Sequence, residues 1–312
     1  KASNGQKLEK FILQYEETDW QFLKRMASHF ETVLVPYSAA DGPKFWFGVP
    51  SGKLGSLHQD FHYTLKRDRS DYLWTAENYN QGLKEKDFID YDVLSYNYIE
   101  IGNRVKCQGK SLLVAEAKLE MKGGILEYTY DLRPEKGIRQ NLIRNEKIIG
   151  SGLTGKIIDT KNDKVRLHLD IDEQQEKDKA YWFPYSTRYT AEGNSGCYCM
   201  PELEDSVQLH FPNAKEEDGL VMNSLPQDGE NNPKMADPGI KYFGTPEDKE
   251  MMMNEQELTF SAKSEEKSRI FIKLEENNGI EVESAEQINF HAEKDFLIEA
   301  EKNLDIAAQE GI

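Results

Sequence analysis

Cysteine is scarce in this chain of 312 residues, which contains only Cys107, Cys197 and Cys199. An odd number without wide, regular spacing does not supply a disulfide framework, so we expect reduced thiols. Cys197 and Cys199 would share one face of a strand, but the neighbouring sequence offers no His or Cys partners for a metal. His58 and His62, four apart in a segment that alternates like a strand, do not suggest a metal site either. We therefore expect neither a metal nor another cofactor.

Basic charge and long apolar runs are also lacking. Lys and Arg number 39 against 56 Asp and Glu, which gives a formal net charge of -17. Nucleic acids bind through clustered positive charge, so this composition argues against nucleic acid as a partner. No stretch approaches 18 consecutive apolar residues, and the first thirty residues lack a charged-then-apolar secretion signal. We expect a soluble protein that is made in the cytoplasm without a signal peptide.

Motifs of familiar enzymes are missing from the sequence as well. It contains no Gly-x-Ser-x-Gly, no His-Glu-x-x-His and no phosphate-cradling glycine loop. Pairs of carboxylates, which glycoside hydrolysis requires, are unavoidable in a chain this acidic and therefore indicate nothing by themselves. The motifs give no reason to expect an enzyme.

What the sequence does contain is an eight-residue repeat near its end. Within each octad apolar and polar residues alternate, as in a short strand, and the remaining residues suffice for a turn. Each octad therefore predicts one strand and one corner. The repeat forms three columns: Ile272, Ile280, Ile288, Phe296, Leu304 and Ile312; Leu274, Val282, Phe290, Ile298 and Ile306; and the small residues Ser284, Ala292, Ala300 and Ala308.

Other interpretations of this repeat fit less well. A helix requires apolar spacings of three and four, and a coiled coil requires a period of seven. A strand with one apolar face cannot bury that face alone, so such strands stack or wrap around copies of themselves. About five octads are too few for a capped solenoid, which favours a shaft shared between chains. Because the chain begins without Met and the repeat stops at Ile312, the first position of an octad, we expect both ends to be truncated.

The N-terminal region, residues 1–145, predicts a β-barrel or a sandwich with one helix. Residues 11–15 read as a strand, and Thr18 with Gln21 forms a capping box that opens a helix at about residues 19–29. The short apolar runs that follow are separated by turn residues, as in hairpins. The residues that we assign to the helix and its apolar face are Thr18, Trp20, Phe22, Leu23 and Met26.

The regions that follow differ from it in composition and in the pattern of their apolar residues. Residues 146–212 contain a hairpin at 154–171 and further short strands, which fits a small closed barrel of the oligonucleotide/oligosaccharide-binding type. Residues 213–258 are polar and predict a connecting or inserted region, in which the run Met251–Met253 is either a filler or a soft contact surface for a partner. Residues 259–312 form the octad region.

The order of these parts resembles that of VgrG-type spike proteins and the related late-control proteins of contractile phages. The run from Gln14 to Arg25 is similar to the segment that opens a helix in the hub domain of that family. A second match resembles the end of the family's small barrel, and the octads resemble its needle. The family usually has a glycine where Glu204 stands, so we expect a more ordinary turn there. The second match comprises Trp182, Pro184, Gly196, Tyr198, Pro201, Glu202 and Val207.

The resemblance implies a mainly β protein: a hub β-barrel segment with one helix, a small barrel, and the start of an intertwined trimeric β-helix. It implies a non-enzymatic homotrimer that contacts inner-tube and baseplate proteins, a tip protein and effector cargo, and touches the target membrane transiently. The octad columns from Ile272 to Ala308 would be the needle core. The particle that holds the protein would be delivered or released outside the cell.

Two alternatives are kept open. One is a cell-wall hydrolase associated with the spike. The other is a barrel that binds carbohydrate or nucleic acid, in which aromatic rings would stack on the ligand. The rings available for stacking are those of Tyr181, Trp182, Tyr185 and Tyr189.

Overall fold

The computed structural model describes residues 5–37, 40–57, 62–79, 82–191, 195–226, 232–264 and 268–308. His58 and Ile312, which the sequence singled out, lie outside these ranges. The chain divides into two compact units, Lys1–Leu225 and Pro226–Ile312. Strands are the main secondary structure of both units, which confirms the prediction of a mainly β protein. The prediction of one helix in the hub segment is wrong, because a second helix lies at Arg69–Asn78.

Helix α1 spans Asp19–Ser28 and begins at the predicted capping box. The Gln21 amide donates to Thr18 Oγ1 at 3.3 Å, and Gln21 Oε1 accepts from the Thr18 amide at 2.9 Å. The predicted inward face is wrong in part, because Trp20 is 40 % exposed whereas Arg25 is buried. Trp20 instead meets the edge of Phe45, with ring centroids 5.6 Å apart. Residues 11–15 form no strand, contrary to the prediction.

A two-stranded sheet and a six-stranded sheet follow the helix. The first pairs β1 (Leu34–Pro36) with β2 (Phe45–Phe47). The second has the order β3-β6-β7-β8-β5-β4 and a core that includes the fully buried Tyr130. Its elements, with helix α2 between β4 and β5, are β3 (Leu54–Gly55), β4 (Tyr63–Arg67), α2 (Arg69–Asn78), β5 (Ile89–Ser95), β6 (Arg104–Cys107), β7 (Lys110–Lys122) and β8 (Ile125–Arg133).

The next strands form a five-stranded sheet in the order β11-β10-β9-β14-β15. It curls until its edges meet, since the Ser186 amide donates to the Val221 carbonyl at 2.8 Å. Val165, Val207 and Leu209 are buried inside it. Its strands are β9 (Gly152–Lys161), β10 (Lys164–Leu169), β11 (Trp182–Pro184), β14 (Ser206–His210) and β15 (Leu220–Leu225), and a separate hairpin pairs β12 (Tyr189–Ala191) with β13 (Ser195–Cys197).

Two sequence expectations about this barrel need correction. Strand β15 lies beyond the predicted end at residue 212, because Val221 pairs with Leu209 and is buried in the barrel core. The expected ordinary turn at Glu204 is also wrong: its φ of 72° lies in the left-handed region. The backbone there is held by the Glu204 amide, which donates to the Ile157 carbonyl at 2.9 Å. Glu204 thus keeps the conformation that glycine favours.

The second unit contains an antiparallel sheet in the sequential order β16-β17-β18-β19-β20. Two of its strands lie in the region predicted to be a connection, and Met251–Met253 belongs to one of them. The strands are β16 (Lys241–Gly244), β17 (Lys249–Met253), β18 (Glu257–Ser264), β19 (Ser268–Glu275) and β20 (Gly279–Glu283). Short 3-10 turns lie at Glu85–Phe88, Glu135–Ile138, Glu146–Ile148, Lys177–Lys179, Glu216–Asp218 and Pro233–Met235.

The octads beyond β20 show the predicted corners without paired strands. The backbone bends at residues 285–286, 293–294 and 301–302, so successive bends are eight residues apart. Between the bends the described residues 284–308 belong to no strand ladder. The first octads differ from the prediction, because residues 272–282 form an antiparallel hairpin in which Ile272 faces Val282.

Candidate self-association surface

The sheet of the second unit, formed by strands β16 to β20, has one face built from apolar side chains that are aligned across the strands. Residues that pair directly across neighbouring strands point to the same side of a sheet. The pairing therefore aligns one row across all five strands, and most of its members are exposed. This row consists of Phe243, Met251, Phe260, Ile272 and Val282.

A second apolar row runs beside the first. Because alternate residues share a face, the positions two removed along each strand lie on the same side of the sheet. Met253, Leu258, Leu274 and Ile280 are aligned there, with Lys241 at the end of the row. We call the two rows together the apolar sheet face.

The reverse face of the sheet is different in character. Thr259 and Phe271 are buried there. Lys273 forms ion pairs with Glu257 at 3.2 Å and Glu275 at 2.8 Å. Contiguous exposed apolar surface marks interaction sites in soluble proteins, and here most of it lies on one side of the sheet.

The apolar sheet face continues into the octads. Ile272, Leu274, Ile280 and Val282 belong both to the sheet face and to the first two octad columns. Beyond them the column side chains are also exposed, up to 74 % for Phe290. The structure thus leaves the predicted needle-core residues uncovered in a single chain: Ile272, Leu274, Ile280, Val282, Ile288, Phe290, Ala292, Phe296, Ile298, Ala300, Leu304, Ile306 and Ala308.

The third octad column consists of small residues. Ala292, Ala300 and Ala308 are exposed beside the larger apolar columns. The positions between the columns are strongly acidic, since residues 270–312 carry eleven acidic and three basic side chains. Such a segment carries large apolar side chains in two columns, small side chains in a third, and acidic side chains at most other positions. This arrangement suits packing against identical segments with the acidic side chains facing solvent.

The first unit contains a buried ion cluster that the sequence did not reveal. Arg25 Nη2 lies 2.5 Å from Glu17 Oε1, and Arg25 Nη1 lies 3.0 Å from Glu216 Oε2, with all three side chains at most 8 % exposed. Arg25 also donates to the Leu13 carbonyl at 2.8 Å, and the Leu13 amide donates to Glu216 Oε1 at 3.0 Å. We call Glu17, Arg25 and Glu216 the carboxylate–arginine clamp.

The clamp ties helix α1 to the five-stranded barrel. Burial raises the pKa of Glu216, against the opposing effect of the Leu13 amide and the Arg25 guanidinium. Phe11 reinforces the attachment, since its ring lies 4.9 Å from that of Phe183 in the barrel. Glu216 follows Arg25 by 191 residues, so no local pattern could have paired them.

The residues of the second family match lie in the barrel and its adjoining loops without forming one cleft. Val207 and Pro201 are buried, whereas Tyr198 is exposed. Pro184 pairs with Lys164 at the edge of β10, and the Glu202 amide donates to Asp205 Oδ2 at 2.9 Å. Gly196 has a φ of 146°, and a Cβ there would lie 2.5 Å from the Tyr189 carbonyl oxygen.

Two of the four aromatic residues considered for ligand stacking, Tyr181 and Trp182, contact other side chains of the barrel, whereas Tyr189 is 58 % exposed. The Arg166 guanidinium lies over the ring of Trp182, 4.5 Å from its centroid. Tyr181 packs at 4.9 Å against Phe183 and at 6.1 Å against Phe11. These contacts make Tyr181 and Trp182 part of the barrel's packing.

Within the described ranges, no group of three or more His, Cys, Asp and Glu side chains is placed to hold a metal ion. Nor does any helix in those ranges have the length and apolar character needed to cross a membrane.

No family model matches the sequence, and no curated protein matches it. Similar solved structures include the E. coli c3393 protein, a component of the type VI secretion system with structural similarity to the T4 bacteriophage tail proteins gp27 and gp5. It is 14 % identical, with a TM-score of 0.47 over 69 % of this chain and 62 % of that one.

Two structures of a Francisella PdpA-VgrG complex, half-lidded and lidless, are similar at 10 % identity over 63 % of this chain. Their TM-scores are 0.38 and 0.37, over 41 % and 46 % of those chains. The chain therefore spans less than two thirds of each of these neighbours.

Proposed function

We propose that the chain is a structural component of a contractile injection system, in which three copies form the hub and spike at the end of the inner tube. In this role the spike pierces the target envelope when the sheath contracts, and no enzymatic step is required. The observation that carries the proposal is the uncovered apolar sheet face with its continuation into octads that bend every eight residues.

The energetics favour association of identical octads. Burying one large pair per octad, such as Ile288 and Phe290, contributes about 3 to 6 kcal/mol per chain before the entropy of association is subtracted. The alanine column allows close approach of the backbones near a narrow axis. Three chains wound together would give strand partners to the segments between the bends, which belong to no ladder within the described residues, and would turn the acidic side chains outward.

The first unit suits the hub role for a different reason. A hub transmits force, so its helix and barrel must stay attached to each other under load. The clamp and the Phe11 contact provide that attachment through buried charge and aromatic packing. In the proposed assembly this unit meets inner-tube and baseplate proteins, and the spike carries a tip protein and effector cargo. The negative exterior keeps contact with anionic membrane lipid transient.

A matched pair of variants tests the packing. Phe290→Asp places a charge in the apolar column, whereas Asn289→Asp places the same charge at the neighbouring polar position of the same octad. Multi-angle light scattering should show that Phe290→Asp loses the trimer while Asn289→Asp retains it. Circular dichroism should show that the barrel unfolds at the same temperature in both variants.

Two results would count against the proposal. If Phe290→Asp remains as fully trimeric as Asn289→Asp, the octads do not pack in the proposed way. If the purified chain releases soluble sugars from peptidoglycan, it acts as a hydrolase.

A further inference from the structure

The hairpin beside the barrel ends in two neighbouring thiols. Cys197 is the last residue of β13, and Cys199 follows two positions later with its Sγ 3.4 Å from the Cys197 Sγ. Both cysteines are exposed, whereas Cys107 is buried in the six-stranded sheet. Two exposed thiols at this distance can exchange with a disulfide in solution and bond to each other, which a single buried thiol cannot do.

The backbone around the pair is held in place from two sides. Cys197 pairs with Tyr189 in the β12–β13 ladder, and the Thr187 hydroxyl donates to the Cys197 carbonyl. The close packing of Gly196 against the Tyr189 carbonyl further limits how the hairpin can move. The two sulfur atoms therefore meet because of the fold around Cys197, with one residue, Tyr198, between the two cysteines.

We propose that Cys197 and Cys199 form an oxidation site that a small-molecule disulfide of the glutathione class converts into an intrachain disulfide. The Cys197 thiolate attacks one sulfur of the small disulfide, forms a mixed disulfide and expels one thiolate. Cys199 then loses its proton and attacks the Cys197 sulfur, which expels the second small thiolate. The protein loses two electrons and two protons, and the small disulfide is reduced to two thiols.

The geometry favours ring closure over a lasting mixed disulfide. A disulfide bond is about 2.05 Å long, so the sulfur atoms must approach by a little over 1 Å. Cys199 is already beside its target, which makes the second step intramolecular and fast relative to attack by another molecule. The hydrogen bond with Cys197 raises the pKa of Cys199, which fits the role of Cys199 as the resolving thiol.

Closure would constrain the exposed loop that leads into β14. Tyr198 lies inside the ring that would form, and the buried Pro201 follows it. The oxidised form therefore holds Tyr198 in one orientation at the barrel surface. This inference rests on the first unit alone and does not depend on the proposed function.

The test uses mass spectrometry of the folded full chain after exposure to millimolar oxidised glutathione. The parent chain and Cys107→Ser should become lighter by two hydrogen atoms, with the new bond mapped to the peptide containing Cys197 and Cys199. Cys199→Ser lacks the resolving thiol, so it should accumulate one glutathione on Cys197 at an occupancy roughly tenfold above that of the parent chain. Dithiothreitol should reverse both products.

The opposite pattern would overturn the proposal. If the parent chain accumulates glutathione on both Cys197 and Cys199, or if disulfide-linked chains are the main product, the two thiols do not act as a pair. The same conclusion follows if Cys199→Ser and the parent chain carry equal amounts of glutathione on Cys197.

Discussion

Replacing Arg25 by Met should strongly destabilise the first unit. Arg25 is 2 % exposed and is the cation shared by two carboxylates, Glu17 and Glu216, that are themselves 8 % and 5 % exposed. Met fills a similar volume but leaves both carboxylates buried without their cation. Removing one partner from a buried ion cluster costs about 3–5 kcal/mol, because the remaining charges lose both hydration and attraction.

The size of this effect can be measured against an exposed pair in the same unit. Arg139 lies 3.1 Å from Glu31, but the two side chains are 48 % and 56 % exposed. Because solvent screens such a pair, Arg139→Met should cost at most about 1 kcal/mol. A loss of about 4 kcal/mol in a unit of this size corresponds to a thermal midpoint lower by roughly 10 °C, which calorimetry or circular dichroism can resolve.

The pH dependence gives a second readout. Burial raises the pKa of Glu216 in the folded chain, so the stability linked to its protonation is present below its ordinary pKa and is lost as pH rises through the raised value. Without Arg25 the pKa of Glu216 should rise further. The loss of stability caused by Arg25→Met should therefore become smaller as the pH is lowered from 7.5 to 5. Adding Glu17→Gln and Glu216→Gln should recover much of the lost stability. If Arg25→Met costs no more than Arg139→Met at pH 7.5, the clamp does not hold the helix to the barrel.

Three further predictions concern the first unit. Glu204→Gly should raise the free energy of unfolding by about 0.5–1 kcal/mol in urea titrations, since φ at this position is 72°, and an unchanged or lower midpoint would contradict the strain. Burial raises the pKa of Asp90 to about 6 from 3.8, so its protonation stabilises the fold below pH 3.8 and this contribution is lost as pH rises through 6. Asp90→Asn should therefore be more stable than the parent chain by about 1–2 kcal/mol at pH 7.5 and equal to it near pH 4, and thermal melts showing a deficit at pH 7.5 would refute this. Burial and the nearby Lys10 and Arg25 lower the pKa of His29 to about 4 from 6.5, so its contribution to stability is present above pH 6.5 and is lost as pH falls through 4. In thermal melts, the midpoint of His29→Asn should therefore fall less on acidification than that of the parent chain. An equal fall in both proteins would contradict the shift.

Two local signals in the sequence predicted local structure correctly. The capping box of Thr18 and Gln21 fixed the start of helix α1, because both hydrogen bonds connect residues three apart. The eight-residue period likewise predicted the bends at 285–286, 293–294 and 301–302. In each case the residues that determine the structure are close together in the chain.

Non-local structure was harder to predict. The burial of Arg25 on α1 depends on its ion pair with Glu216, which is distant in the sequence. A helical pattern that counts only apolar residues therefore assigned Trp20 to the buried face instead. Strand β15 was missed because it lies within a long polar region, although Val221 completes the barrel core. The apolar sheet face required the register of five strands, which alternation within one strand does not give.

The central claim is that the uncovered apolar columns of the second unit are the core of a three-chain spike. The most direct measurement is the mass of the purified chain by multi-angle light scattering, over a range of concentrations extending to the lowest detectable. The proposal predicts a particle of three 35.9 kDa chains that persists on dilution. A monodisperse species with the mass of one chain would contradict it.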